Sequence, residues 1–167
     1  MIDSDEQEYD MTNTHAAVVD ADRYTVSRTV VVNAPGPKVW RALTDPAHIA
    51  RWFGQTARID RLEVGARGSF GWEGHGEFPL EVTEVDEPTT FAYRWQNRPG
   101  DLEFDRATEV RFTLVAEGES TVLTVVETGF DRIGDDEETR LGGLESNRQG
   151  WNAELDELVA YLEGVAA

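Results

Sequence analysis

One stretch of this chain constrains its fold more than any other. "NRQGWNAELDELVAYLEG", residues 147–164, is the only segment that reads as a long helix. Counting back one turn, its apolar positions are Leu144, Trp151, Leu155, Leu158 and Leu162, a continuous stripe at helical spacing. By the same spacing Glu154, Glu157 and Glu163 are assigned to solvent. Between residues 56 and 130 almost everything alternates with period two. A sheet built from those strands has one face to cover, and this helix alone is long enough to cover it.

The strands follow one another with short connections. "RYTVSRTVVVNA" begins the ordered part, with a strand over Tyr24–Asn33 marked by alternation and β-branching. "APGPKVWRALTDP" predicts a short helix, because Pro37 suits a first turn and Val39, Trp40 and Leu43 share a face. "DPAHIARWF" predicts a second, capped by Asp45. Then come "TARIDRLEV", "ARGSFGW", "FPLEVTEVDEP", "TTFAYRW", "TEVRFTLVAE" and "STVLTVVETGF", with turns at "GWEGHGEF" and "EGES". "DRIGDDEETRLGG" is read as the loop into the last helix. Strands joined this tightly pair antiparallel. The expected fold is α+β: a curved antiparallel sheet and a long C-terminal helix, with two short helices after the first strand.

Composition narrows the function classes. The chain has 33 Asp and Glu against 15 Lys and Arg, a formal charge of −18, which repels phosphate backbones and anionic lipid. Nucleic-acid and membrane partners are therefore not expected. No apolar run reaches transmembrane length, and "MIDSDEQEYDMTNTH" has no apolar signal core. With no cysteine there is no disulfide, thiol nucleophile or Cys-ligated metal. A cytoplasmic location is the expectation. Residues 1–22 hold seven acids and no Lys or Arg, and read as an acidic disordered tail ahead of one domain over 23–167.

In order, "VWRALTDPAHIARWFG", "EVTEVDEPTTFAYRW", "STVLTVVETGF" and "GWNAELDELVAYLEG" resemble the START-like (SRPBCC, Bet v 1-like) superfamily. Within it they are most similar to the branch named for the C-terminal domain of the Hsp90 ATPase activator. The resemblance covers about 24–164. It implies a helix-grip fold, with a cavity between sheet and helix that in many relatives holds an apolar ligand. It also suggests a role for Gly150. A glycine inside a helix costs about 1 kcal/mol relative to alanine, and a tight helix–sheet contact would account for it, with Trp151 filling or walling the cavity.

Alternation places Phe70 and Trp72 on one side of their strand, Tyr93 and Trp95 (with Phe91) on one side of theirs, and Phe112 between Val110 and Leu114. Trp52 and Phe53 close the second helix at a possible entrance. Together with Trp151 and Leu155 of the last helix, these are the candidate lining of an apolar pocket. Taken singly each ring is better read as core; the family's cavity favours a lining for the set. Glu127 shares a face with Leu123 and Val125. In the resembling family a polar residue at this position points toward the cavity. A carboxylate there is able to orient a ligand hydroxyl or amine, or to act as a general base. The alternative is a strand-end glutamate in solvent. Glu127 is the sole catalytic candidate. The histidines do not cluster and there is no HExxH, P-loop or GxSxG, so no metal, cofactor or nucleophile motif is implied.

The expected partner is an apolar or aromatic small molecule bound by a monomer or homodimer. An enzyme of the cyclase or hydrolase kind and a chaperone-linked interaction protein are the alternatives.

Overall fold

A computed structural model describes residues 15–96 and 98–164. Eight strands form one antiparallel sheet: β1 (Val18–Asp20), β2 (Thr25–Val32), β3 (Thr56–Ile59), β4 (Arg67–Trp72), β5 (Gly76–Asp86), β6 (Thr90–Trp95), β7 (Thr108–Glu117) and β8 (Ser120–Thr128). Their spatial order is β1-β2-β8-β7-β6-β5-β4-β3. Short helices α1 (Gly36–Thr44) and α2 (Pro46–Trp52) join β2 to β3, and α3 (Glu137–Glu163) packs on the sheet. This is the helix-grip fold expected from the sequence.

Local chemistry explains the boundaries. Pro37 sits in the first turn of α1, and the Asp45 carboxylate accepts from the Ala47 amide at 3.0 Å to open α2. The β7–β8 turn passes through Gly118 at φ +62°, a left-handed position that favours glycine. Strand periodicity holds closely in β8, where Thr121, Leu123, Val125 and Glu127 are all buried and the residues between them are half-exposed.

Three sequence expectations are corrected. First, α3 begins ten residues before Asn147, at Glu137, inside the segment read as a loop. Asp136 caps it by accepting from the Thr139 amide at 2.8 Å. The Gly142–Gly143 pair, which reads as a breaker, lies within the helix. At Gly143 an added Cβ would stand 2.3 Å from Ile133 Cδ1 and 3.4 Å from Phe130 Cδ1, so a larger residue there would have to push the tip of the Ile133 side chain aside. Second, Gly150 is not in a tight contact: nothing lies within 4 Å of where its Cβ would be. Third, order reaches further towards the N-terminus than Tyr24. β1 pairs with β2 in the register Val18↔Ser27 to Asp20↔Thr25, and Ala17 is buried. The acidic tail expected over 1–22 thus loses its last residues to the sheet, and residues 1–14 lie outside those described.

Segment 15–20 is also tied to α3. The Ala17 amide donates to Asn152 Oδ1 at 2.8 Å, and Arg28 Nε donates to the His15 carbonyl at 2.8 Å. A chain starting at Arg23 is expected to be less stable than one starting at His15 by about 1–3 kcal/mol, from the lost ladder bonds and the apolar surface of Val26 that β1 pairs against. Urea midpoints of the two chains decide this; coincident midpoints would mean that β1 is an ornament of the sheet.

Candidate functional site

The inward faces of β4, β5 and β6, the end of α2 and the middle of α3 converge on a cleft of about 190 Å³. Phe53, Trp72, Phe78 and Trp95 wall it from the sheet side, and Asn147, Gly150, Trp151 and Glu154 from the helix. The helix residues recur at i, i+3, i+4 and i+7, so they share one face. The rings pack on one another as well as on the cleft. Phe53 stacks on Trp151 at 5.7 Å with the planes 9° apart, and meets Trp72 edge-on at 5.2 Å. Trp72 and Trp95 lie 6.1 Å apart. Gly150 now has a reason: without a Cβ, α3 leaves the mouth of the cleft open. Gly150→Ala is expected to raise stability by about 0.5–1 kcal/mol, since the helix gains propensity and the methyl meets nothing. A lowered thermal midpoint would restore the tight-contact reading.

The candidate lining residues therefore divide. Phe53, Trp72, Trp95 and Trp151 border the cleft. Phe70, Tyr93, Phe112 and Leu155 are buried behind it as core, and Trp52 donates its indole N–H to the Ala42 carbonyl at 2.8 Å, which locks α2 onto α1. The rings fill most of the space in the grip themselves.

Glu127 points inward and is fully buried. Its carboxylate accepts four hydrogen bonds, two on each oxygen. Trp151 Nε1 and Asn147 Nδ2 donate to Oε1 at 2.8 and 2.9 Å. Trp95 Nε1 and Thr108 Oγ1 donate to Oε2 at 3.0 and 2.5 Å. A carboxylate has about four lone-pair sites, and here the protein occupies all of them. Glu127 thus stands behind the cleft wall and fixes two of its three tryptophans; it offers no free acceptor to a ligand or a substrate proton.

Phe78, Ser146 and Asn147 line the cleft and were not among the sequence candidates, and two charged residues were missed with them. Glu154, assigned to solvent, lines the cleft and is half-buried. Burial, followed by the charge of Glu157 one turn on, pushes its carboxyl up to about 7. The i, i+3, i+4, i+7 relation to Asn147, Gly150 and Trp151 was the available signal. Glu163 is likewise engaged, accepting from the Asn33 amide at 2.8 Å. The second charged residue is Arg28. It lies on the inward phase of β2, among Val26, Val30 and Val32, and is buried. Its guanidinium donates to the Trp151 and Asn152 carbonyls at 3.0 and 2.7 Å and to Asp156 Oδ1 at 2.7 Å. It clamps α3 to the sheet at the residue that walls the cleft. Burial, with Glu127 and Glu154 adding negative charge, holds the Tyr93 hydroxyl well above its usual range. Among the described residues no group of three or more His, Asp or Glu is arranged to hold a metal ion, and no helix is long and apolar enough to cross a membrane.

With this geometry in hand, comparison with known proteins is decisive at the level of family. The family model described as Activator of Hsp90 ATPase homolog 1-like protein matches residues 33–163. The chain belongs to this family. Among curated proteins none matches it. Solved structures with a similar fold include protein MLL2253 from Mesorhizobium loti, 24% identical over 86% of this chain and 99% of that one, with a TM-score of 0.70. The Hsp90 activator PFC0360w from Plasmodium falciparum is 22% identical over 84% and 96%, with a TM-score of 0.66. CalU16 from Micromonospora echinospora is 22% identical over 90% and 85%, with a TM-score of 0.62. At these identities the three structures speak for the fold alone. In this member of the family the grip holds a small aromatic cleft, with Glu127 behind its wall and Glu154 at its edge.

Proposed function

We propose that this protein binds a small apolar or aromatic molecule in the cleft between the sheet and α3. The observation that carries the proposal is the opening at Gly150. A helix that keeps a glycine where a side chain would meet nothing, beside five aromatic residues, maintains a vacancy at a cost of about 1 kcal/mol. The volume of about 190 Å³ suits one or two fused rings and is too small for a sterol or a long acyl chain. Apolar burial would supply most of the affinity, about 25 cal/mol per Å² before ordering costs. Glu127, the catalytic candidate, has every acceptor position occupied, which favours binding over general-base catalysis. A chaperone-facing role, suggested by the family's namesake, would use an outer surface and leaves the cleft without a purpose.

The test is a tryptophan-fluorescence titration with indole, naphthalene and 1-naphthol. Saturable binding is expected, with the affinity reduced about tenfold or more in Gly150→Leu, whose side chain projects into the mouth while strengthening the helix. No saturable signal in the native protein, or undiminished binding in a folded Gly150→Leu, would sink the proposal.

A further inference from the structure

We infer that the cleft selects a cationic ligand, a quaternary or protonated amine carried on a small apolar body. This inference rests on the binding reading above and names the ligand class within it. Three features of the site converge on positive charge.

The walls are the first. Trp72, Trp95 and Trp151 line the cleft, joined by Phe53 and Phe78. Indole carries the most negative π face among protein side chains, and a cation within about 6 Å of the ring centroid is drawn to it. The rings are set at different tilts, with Phe53 edge-on to Trp72 and Trp72 tilted by 46° to Trp95. Phe53 and Trp151, the near-parallel pair, stack directly on one another, so the remaining rings shape the cleft as a corner rather than a flat slot. A flat aromatic ligand is best served by two parallel walls; a rounded methylated ammonium is served by a corner.

The second is the wiring behind the walls. The indole N–H groups of Trp95 and Trp151 both donate to Glu127, one to each oxygen. A hydrogen bond from an indole N–H to a carboxylate shifts electron density into the ring, because donors in a hydrogen-bond chain polarise one another. Two of the cleft's three tryptophans therefore carry more negative faces than an indole bonded to a neutral acceptor. Glu127 also stands as an uncompensated carboxylate: all four of its partners are neutral, with no Lys or Arg among them. A neutral apolar ligand draws nothing from this arrangement, whereas a cation in the cleft does.

The third is Glu154. It lines the cleft from α3, four residues beyond Gly150, and is half-buried. An acid held partly out of water at an aromatic cleft lacks a partner of opposite sign among the ion pairs formed by the described residues. An ammonium seated on the tryptophans would face it. The formal charge of −18 acts in the same direction at longer range and favours the encounter with cations over anions.

The experiment compares two isosteres that differ only in charge: phenyltrimethylammonium and tert-butylbenzene. Calorimetric titrations are run at pH 8.5, where Glu154 is ionised, and in 0.3 M NaCl, which screens the general field of the protein. The cation is expected to bind about tenfold more tightly than its neutral twin. In Glu154→Gln the advantage of the cation over tert-butylbenzene should fall to about threefold or less. In Glu157→Gln, which removes the same charge from the exposed side of α3, it should persist. Equal affinities for the two isosteres in the native protein would overturn the inference while leaving the apolar binding site standing. So would an advantage lost equally in Glu154→Gln and Glu157→Gln, since charge in general would then be the cause. If neither compound binds and the neutral aromatics above also fail, the binding reading falls together with the inference.

Discussion

Glu127→Leu is expected to lower the free energy of unfolding by about 3–5 kcal/mol, a large fraction of what a domain of this size possesses. The leucine would fill most of the same volume, so a cavity is not the reason. The reason is four stranded donors. Trp151 Nε1, Asn147 Nδ2, Trp95 Nε1 and Thr108 Oγ1 all end on this one carboxylate, deep in the protein. Each donor left buried without a partner costs about 1–3 kcal/mol, partly offset because the desolvated charge is gone. Glu127→Gln separates the contributions further. Asn147 can turn its amide and Thr108 can rotate its hydroxyl to meet an NH₂ group, but an indole N–H only donates. Each oxygen of Glu127 serves one indole, so glutamine must strand one of them whichever way its amide lies. About 1–3 kcal/mol of destabilisation follows, with a shift in the emission of one tryptophan. Denaturant midpoints check both values. A Glu127→Gln midpoint within a few tenths of a kcal/mol of the native one would mean that the carboxylate is not held as described.

Arg28→Ala is expected to cost about 2–4 kcal/mol. Its guanidinium is 5% exposed and makes four hydrogen bonds, to His15, Trp151, Asn152 and Asp156. The Asp156 end is largely in water and contributes little by itself. The weight lies in the buried bonds to the backbone of α3 and of segment 15–17, and in the packing of the arginine stem on the inward face of β2. Arg28→Lys should recover only part of the loss, because a single ammonium cannot reach three directions in one plane. Asp156→Asn is the control and should change stability by less than about 0.5 kcal/mol. If Asp156→Asn were as damaging as Arg28→Ala, the ion pair and not the backbone clamp would be holding α3.

The periodic features of this protein were open to sequence reading because they depend only on near neighbours. Alternation identified the inward faces of β6 and β7, and with them Trp95 and Phe112, whereas β8 carries apolar residues on both faces and only the resemblance pointed Glu127 inward. The stripe from Leu144 to Leu162 identified the face α3 turns to the sheet. The resemblance then supplied the fold. What failed had a different physical origin. The start of α3 was misread because Gly142 and Gly143 oppose helix locally, while the Asp136 cap and the burial of Leu144 in the core outweigh propensity. β1 was misread as tail because three residues carry too little pattern, and Arg28 and Asn152, which anchor that segment, are distant in sequence.

The division between core and cleft was also beyond the sequence. Phe70 and Trp72 share one face of β4, yet only Trp72 reaches the cleft, because that depends on where α2 and α3 come to rest against the sheet. Glu154 and Gly150 changed meaning for the same reason. From sequence, Glu154 is assigned to solvent with the other acids and Gly150 to a tight contact with the sheet. Only the seating of α3 over the curved sheet turns one into the edge of a cleft and the other into its doorway. Sequence by itself determined the alternation and the apolar stripe, both set by backbone geometry over a few residues. Tertiary structure alone decided which rings touch one another and which face empty space, because that depends on the angle and depth at which two separately formed surfaces meet.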